Sequence, residues 1–153
     1  ACGDNTAAVT VANTATPTDL FEVDTCSDLS VAQLEAAKGW QARYRLLLQW
    51  GAQLQSKPAI RTDAYRVRGC EAAAWLAHQQ VAGRHYFALD SDSRVVRGLG
   101  VLLLLLINDR SAAELAGLDL NAQFSALGLD KHLSQSRSNG FRALVDRALE
   151  LAA

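Results

Sequence analysis

Cysteine is scarce in this chain: Cys2, Cys26 and Cys70, an odd number spread over 153 residues. A disulfide scaffold carries more cysteines in a shorter chain, so the count points to a reducing compartment, with a Cys2–Cys26 bridge the one pairing left open. Net charge is nearly absent too. Fifteen basic side chains stand against sixteen acidic ones, which removes the electrostatic case for nucleic acid or an anionic membrane as a partner. No long hydrophobic run is present: Leu99 to Ile107 falls well short of the roughly twenty residues that cross a bilayer, and reads as a buried helix. The first thirty residues have neither a basic start nor an extended apolar stretch, so no secretory signal is expected and the reading is cytoplasmic. His78, His85 and His132 lack metal-ligand spacing with one another or with cysteine pairs. None of Lys38, Lys57 and Lys131 has a setting that suggests a pyridoxal phosphate Schiff base. There is no phosphate-binding glycine loop and no internal repeat.

What is present suits one domain. Half the residues are hydrophobic and a fifth charged, and a chain of this length buries roughly 70% of its unfolded surface. Residues 1–27, rich in Ala, Thr, Asn and Asp, cannot bury enough apolar surface to offset their ordering entropy and read as a flexible extension, with Leu20, Phe21 and Val23 a small apolar exception. The domain then occupies 28–153. Ser30 with Gln33 forms a capping pair for a first helix that Gly39 breaks. Trp40, Tyr44, Leu47, Leu48, Gly51 and Leu54 keep helical spacing up to Lys57-Pro58, where proline disfavours helix at the preceding residue. From Glu71 to Val81 the pattern is undecided between helix and strand. Ser93 caps a helix over about Arg94–Ile107 whose apolar residues run nearly all round, which means burial on most faces. Short helices open at Ser111 and Asn121 and close at Gly117 and Gly128. A last helix starts near Ser138, with Phe141, Leu144, Val145, Ala148 and Leu149 on one face.

Cys70 is the candidate for chemistry. It follows Arg66-Val67-Arg68-Gly69, where guanidinium charge and turn N–H groups favour a thiolate. A free cysteine is ordinarily a small buried hydrophobe, but two arginines and a glycine argue for a loop of positive potential. Val67-Arg68-Gly69-Cys70-Glu71 with Trp75, Asp90-Ser91-Asp92, Val95-Val96-Arg97-Gly98-Leu99, and His132-Leu133-Ser134 with Ser136-Arg137-Ser138-Asn139-Gly140 follow one another in an order and spacing that resembles the SufE family, from about Trp40 to Leu149. Two departures stand out. Ala73 and Ala74 replace a more polar or bulkier pair, and Leu89 replaces the glycine common before Asp-Ser-Asp.

The resemblance implies an α+β fold, a mainly helical domain packed on a small antiparallel sheet (SufE/NifU-like), with a β-hairpin over the undecided stretch and Arg84–Leu89. It implies an accessory protein rather than a free-standing enzyme. Such a protein accepts sulfur from a pyridoxal phosphate-dependent cysteine desulfurase of the SufS or CsdA type, activates that enzyme and hands sulfur to an iron–sulfur scaffold. It carries no cofactor of its own beyond a transient persulfide on Cys70. Arg137 is placed near the cysteine loop, as a stabiliser of a thiolate or persulfide anion. Arg68, Gly69, Glu71 and Asp92 are candidates for contact with the donor. Asp90 and Asp92 also stand where carboxylates complement a helix N-terminus. Trp75 reads as core, and Arg97 as a solvated helix arginine. The rival reading is a cysteine-dependent hydrolase with Cys70 as nucleophile and one of the three histidines as base.

Overall fold

The computed structural model describes residues 29–152; the 1–27 extension, its Leu20, Phe21 and Val23, and the Cys2–Cys26 pairing lie outside the described residues. α1 (Val31–Ala36) begins where the Gln33 side chain accepts the Ser30 backbone N–H at 3.3 Å. Gly39, at φ +83°, turns the chain into α2 (Trp40–Gln53). Two single 3-10 turns, Pro58–Ile60 and Asp63–Tyr65, lead to β1 (Ala74–Val81) and β2 (Arg84–Ser91). α3 (Arg94–Ile107) follows, with Ser93 Oγ accepting the Val96 N–H. Then come a two-residue β3 (Arg110–Ser111), α4 (Ala112–Ala116), α5 (Leu120–Ala126), α6 (Leu129–His132) and α7 (Gln135–Ala152).

The undecided stretch is a strand from Ala74 on, with Glu71–Ala73 left in the loop before it. β1 and β2 form an antiparallel hairpin in register from Ala74 opposite Ser91 to Val81 opposite Arg84. Its two-residue turn, Ala82-Gly83, has φ of +54° and +79°, the positive values that match a tight turn to the twist of the strands. Two helix starts differ from the sequence reading. α5 opens one residue ahead of Asn121, under an Asp119 carboxylate that accepts the Ala122 N–H. α7 starts three residues before Ser138, where Ser134 Oγ accepts the Arg137 N–H at 3.3 Å. The serine–arginine–serine–glycine stretch therefore lies in the first turns of a long helix rather than ahead of it.

The sheet has two different faces. Ala74, Leu76, Phe87 and Leu89 join the main core with the helices, whereas Trp75, Ala77 and Ala88 face the other way against Ile60 of the Pro58–Ile60 turn. α3 is the centre of the core, with eleven of its fourteen residues buried. It lies so close to α2 that a Cβ on Gly98 would collide with the Leu47 carbonyl oxygen, and one on Gly51 would fall 2.5 Å from that of Arg94. Side chains at that crossing would force the helices apart. Leu89 fits the same logic. A Cβ on Gly100 would meet its Cδ2 at 2.5 Å, so the leucine fills space that a glycine in α3 leaves open, and β2 runs past it undisturbed to Ser91.

Asp90 and Arg97 depart from the sequence reading. Asp90 does not serve the helix N-terminus: its side chain is fully buried, with Arg61 Nε at 2.9 Å and Arg97 Nη1 at 2.5 Å. It also accepts the Lys57 N–H at 2.7 Å. Arg97, far from solvated, spends its other donors on the carbonyls of Gly51, Leu54 and Ser91. Burial works against the Asp90 charge, but the Arg61 hydrogen bond and the N–H groups of Lys57 and Ser91 prevail and hold its pKa at about 2. One carboxylate thus ties α2's exit, β2 and α3 together, because its lone pairs are the acceptors that buried donors there require.

Candidate functional site

The cysteine loop is pinned at its base. Arg66 bridges to Trp75, and the Val67 N–H donates to the Ala74 carbonyl at 2.9 Å. On the other side of the base the Ala73 carbonyl accepts from the Asp92 N–H at 3.1 Å and from Ser91 Oγ at 2.6 Å. Two cations lie over the Trp75 ring, the Arg61 guanidinium 4.6 Å and that of Arg66 5.7 Å from its centre. That arrangement adds cation–π attraction to the burial of a large aromatic. Trp75 is core, as its size predicts, but it belongs to the outer cluster that anchors the loop.

The tip of the loop rests on α7. Gly69 takes φ +90°, and a Cβ there would lie 3.4 Å from that of Ala143. Cys70 is half-buried and unbridged. Its sulfur is so near α7 that a Cβ on Gly140 would fall 3.0 Å from Sγ. Any side chain at 140 displaces the thiol or the helix. The glycine closing the Ser136–Gly140 stretch is thus the seat of the sulfur, a role sequence reading did not assign. The signal was there, in a glycine inside an otherwise good helix, where it weakens the helix without a packing reason.

Cys70 opens into a cavity of about 320 Å³ that Glu71, Ala72, Ser93, Val96, Ser134, Ser136 and Arg137 also line. Ser93–Val96 and Ser134–Arg137 are the starts of α3 and α7, so two long helices point their N-terminal ends at the space beside the sulfur, the polarity that suits an anion. Arg137 is exposed, and its guanidinium makes no hydrogen bond or ion pair among the described residues.

Electrostatics correct one expectation. Arginine proximity does not make Cys70 a resting thiolate. Burial pushes its pKa up, and the Ala72 N–H and the Arg66 charge recover only part of that, while Glu71 pushes it up further. Arg66 is the guanidinium that acts on the sulfur at rest, rather than Arg68 or Arg137. Arg68, Gly69 and Glu71 are exposed on the loop. Asp92 sits at the loop's foot, beside Ala73, and is already engaged by Arg61 at 2.6 Å.

The histidines are elsewhere. His78 Nε2 and His85 Nδ1 are hydrogen-bonded to each other at 2.7 Å in the sheet, and His132 stacks on Trp40 with ring centres 4.9 Å apart. None lines the cysteine cavity, so the hydrolase reading lacks its base. Among the described residues no three His, Cys, Asp or Glu side chains gather to hold a metal, and no helix is long and apolar enough to cross a membrane.

A helical domain on a three-stranded sheet, with one sheltered thiol on a pinned loop, defines a class of small thiol-bearing proteins. The family model for SufE, described as an Fe-S metabolism associated domain, matches residues 28–152, and the chain belongs to that family. The chain is 39% identical over 109 residues to the sulfur acceptor protein CsdE of Escherichia coli (strain K12), a match covering 70% of this chain and 74% of that one. It is 32% identical over 113 residues to an uncharacterized SufE-like protein of Rhizobium meliloti (strain 1021), covering 71% and 81%. Among solved structures, the solution structure of a hypothetical protein from Thermus thermophilus superposes with a TM-score of 0.65 over 80% of this chain and 91% of the other. At 17% identity that likeness speaks for the fold.

Proposed function

We propose that this chain accepts sulfur on Cys70 from a pyridoxal phosphate-dependent cysteine desulfurase in the cytoplasm. By clearing the donor's persulfide it would speed the enzyme's turnover, and it would then pass the sulfur to an iron–sulfur scaffold. The observation that carries this reading is the half-buried Cys70 thiol, seated on Gly140 at the tip of a pinned loop, in a chain similar to a sulfur acceptor. The Cys70 thiolate attacks the outer sulfur of the donor's cysteine persulfide. A new bond forms between Sγ and that sulfur, the donor's S–S bond breaks, and its electron pair leaves on the donor cysteine, which is regenerated as thiolate. No external oxidant or reductant takes part.

The resting state fits a carrier. Burial keeps Cys70 protonated and limits the access of small thiols to a loaded persulfide. Lifting the loop off Gly140 on docking removes the largest cause of the raised pKa and leaves the Arg66 charge in place, so reactivity rises when the partner is present. Arg137, with its guanidinium unspent, is the group we assign to the persulfide anion, and Arg68, Gly69, Glu71 and Asp92 to the donor's surface.

The deciding experiment is the intact mass of the chain after mixing with a bacterial group II cysteine desulfurase and cysteine, for wild type and Cys70→Ala. One or more added sulfur atoms on wild type alone, with faster alanine release, is the expected result. No added sulfur with several such desulfurases would sink the reading.

A further inference from the structure

Beyond the cysteine loop, on the side away from Arg137, runs a second and larger depression of about 670 Å³. One wall is a single stripe of α7, in which Asn139, Arg142, Ala143, Asp146, Arg147 and Glu150 recur at helical spacing. The other wall is the segment from Asp63 to Gly69. The stripe is about 16 Å long at the rise of an α-helix, so the groove can hold about five residues of extended chain. It reaches the cysteine loop itself, since Gly69 lies in its wall.

Its charges are unevenly satisfied. Arg68 and Arg142 are exposed and make no hydrogen bond or ion pair among the described residues. Arg66 leans on Trp75, and Arg147 has one long contact to Glu150 at 3.4 Å. Asp146 and Glu150 lie farther along α7 than Arg142, so the end nearest Cys70 is the more positive one. A strong polyanion such as nucleic acid is a poor occupant, because Asp63, Asp146 and Glu150 would face its phosphates. A peptide segment with carboxylates at one end meets no such opposition.

We propose that this groove docks an acidic segment of the sulfur-donating desulfurase, whose carboxylates pair with Arg68 and Arg142 and lead the donor's persulfide to the cysteine loop. The inference rests on the sulfur-acceptor reading and adds to it a surface and its chemistry. Paired guanidinium–carboxylate contacts at the rim of an interface act mainly on encounter and orientation and are weakened by salt.

The test measures the affinity of the full chain for the same desulfurase at low and near-physiological ionic strength, alongside sulfur uptake by intact mass. The variants are Arg142→Glu and, as an equal charge change on the exposed face of α2, Arg45→Glu. Arg142→Glu should bind about tenfold more weakly at low salt, with a shallower salt dependence, while Arg45→Glu tracks wild type. Both sites are exposed, and matching thermal midpoints establish that the fold is kept. If wild type takes up sulfur and Arg142→Glu binds within about twofold of Arg45→Glu at both salts, the groove proposal is overturned and the acceptor reading stands. If wild type takes up no sulfur, both fall.

Discussion

Arginine does opposite work in two neighbouring places at the open end of the β1–β2 hairpin, where Asp90 pairs with Trp75 and the cysteine loop leads into Ala74. Around Asp90, Arg61 and Arg97 direct their donors into a buried carboxylate and nearby backbone carbonyls. Around Cys70, Arg68 and Arg137 are exposed and their guanidiniums have no partner among the described residues. The first arrangement is a structural joint, because every charge there is answered within the chain. The second leaves charge for something outside the chain. Residue type is the same in the two places, and Arg68 and Arg97 even share a Val-Arg-Gly setting, so the distinction lies in burial and in acceptor supply. Breaking the joint should therefore cost stability, and breaking the other should cost function alone. Asp90→Ala strands two guanidiniums and the Lys57 N–H, and should lower unfolding free energy by about 3–5 kcal/mol in chemical denaturation, as for other broken buried pairs. Arg137→Ala should stay within about 0.5 kcal/mol of wild type. An Asp90 variant as stable as the Arg137 one would end the contrast.

Acid probes the joint without mutation. The folded-state pKa of Asp90 is lowered to about 2, so its contribution is fully present above the ordinary carboxylate range and fades as pH falls through about 2. The expected loss is roughly 2 kcal/mol over that window. Denaturant midpoints taken stepwise from neutral pH downwards would show it. Asp90→Asn should flatten this part of the profile, and an unchanged slope would mean that another carboxylate governs acid unfolding.

A smaller and more local effect is expected at the sulfur's seat. With 3.0 Å between a built Cβ and Sγ, Gly140→Ala leaves too little room for the thiol against α7. Overpacking of this kind costs about 1 kcal/mol or somewhat more. The loop can instead yield by lifting, which exposes the sulfur. Alkylation of Cys70 should then run several-fold faster than in wild type, and slower or equal alkylation would show that Gly140 does not hold the thiol in.

The sequence made the elements legible wherever a local rule sufficed. Ser93 caps α3 because a serine oxygen there meets the Val96 N–H, and α3 is buried on most faces because its apolar residues go all round. The order of the motifs pointed to the family. The β1 segment is not legible from propensity, since the alanines at 72–74 favour helix, whereas Ala74 is strand through its pairing with β2 and Ala72 and Ala73 stay in the loop, a tertiary effect. The start of α7 was missed because Ser134 and Ser138 are equally good caps by type, and the fold chose the earlier one. At the site, Cys70 stood out by its neighbours, but the direction of its pKa did not. Charge nearby can be read from a sequence, whereas the desolvation that outweighs it comes from α7, far along the chain. Asp90's role was hidden for the same reason: its partner Arg61 is distant in sequence, and nothing local marks it as buried.

The finest probe of the contrast is the titration of Cys70 itself. Because burial raises its pKa and Arg66 opposes that rise, the rate of iodoacetamide alkylation in the free protein should still be climbing at pH values where an ordinary thiol has levelled off. Arg66→Ala removes the opposing charge, so its profile should move to higher pH. Glu71→Gln removes a carboxylate that disfavours the thiolate, so its profile should move to lower pH. Both shifts should be small beside the effect of Gly140→Ala, since loop residues in contact with water act on the sulfur through a screened field, whereas contact with α7 sets how much of the half-buried sulfur water reaches. Opposite displacements for the two variants would show that the loop's own charges tune a thiol whose reactivity is set chiefly by its seat. Profiles that coincide with wild type would leave burial and the Ala72 N–H in control, and Arg66 would then belong with Arg61 as an anchor of Trp75.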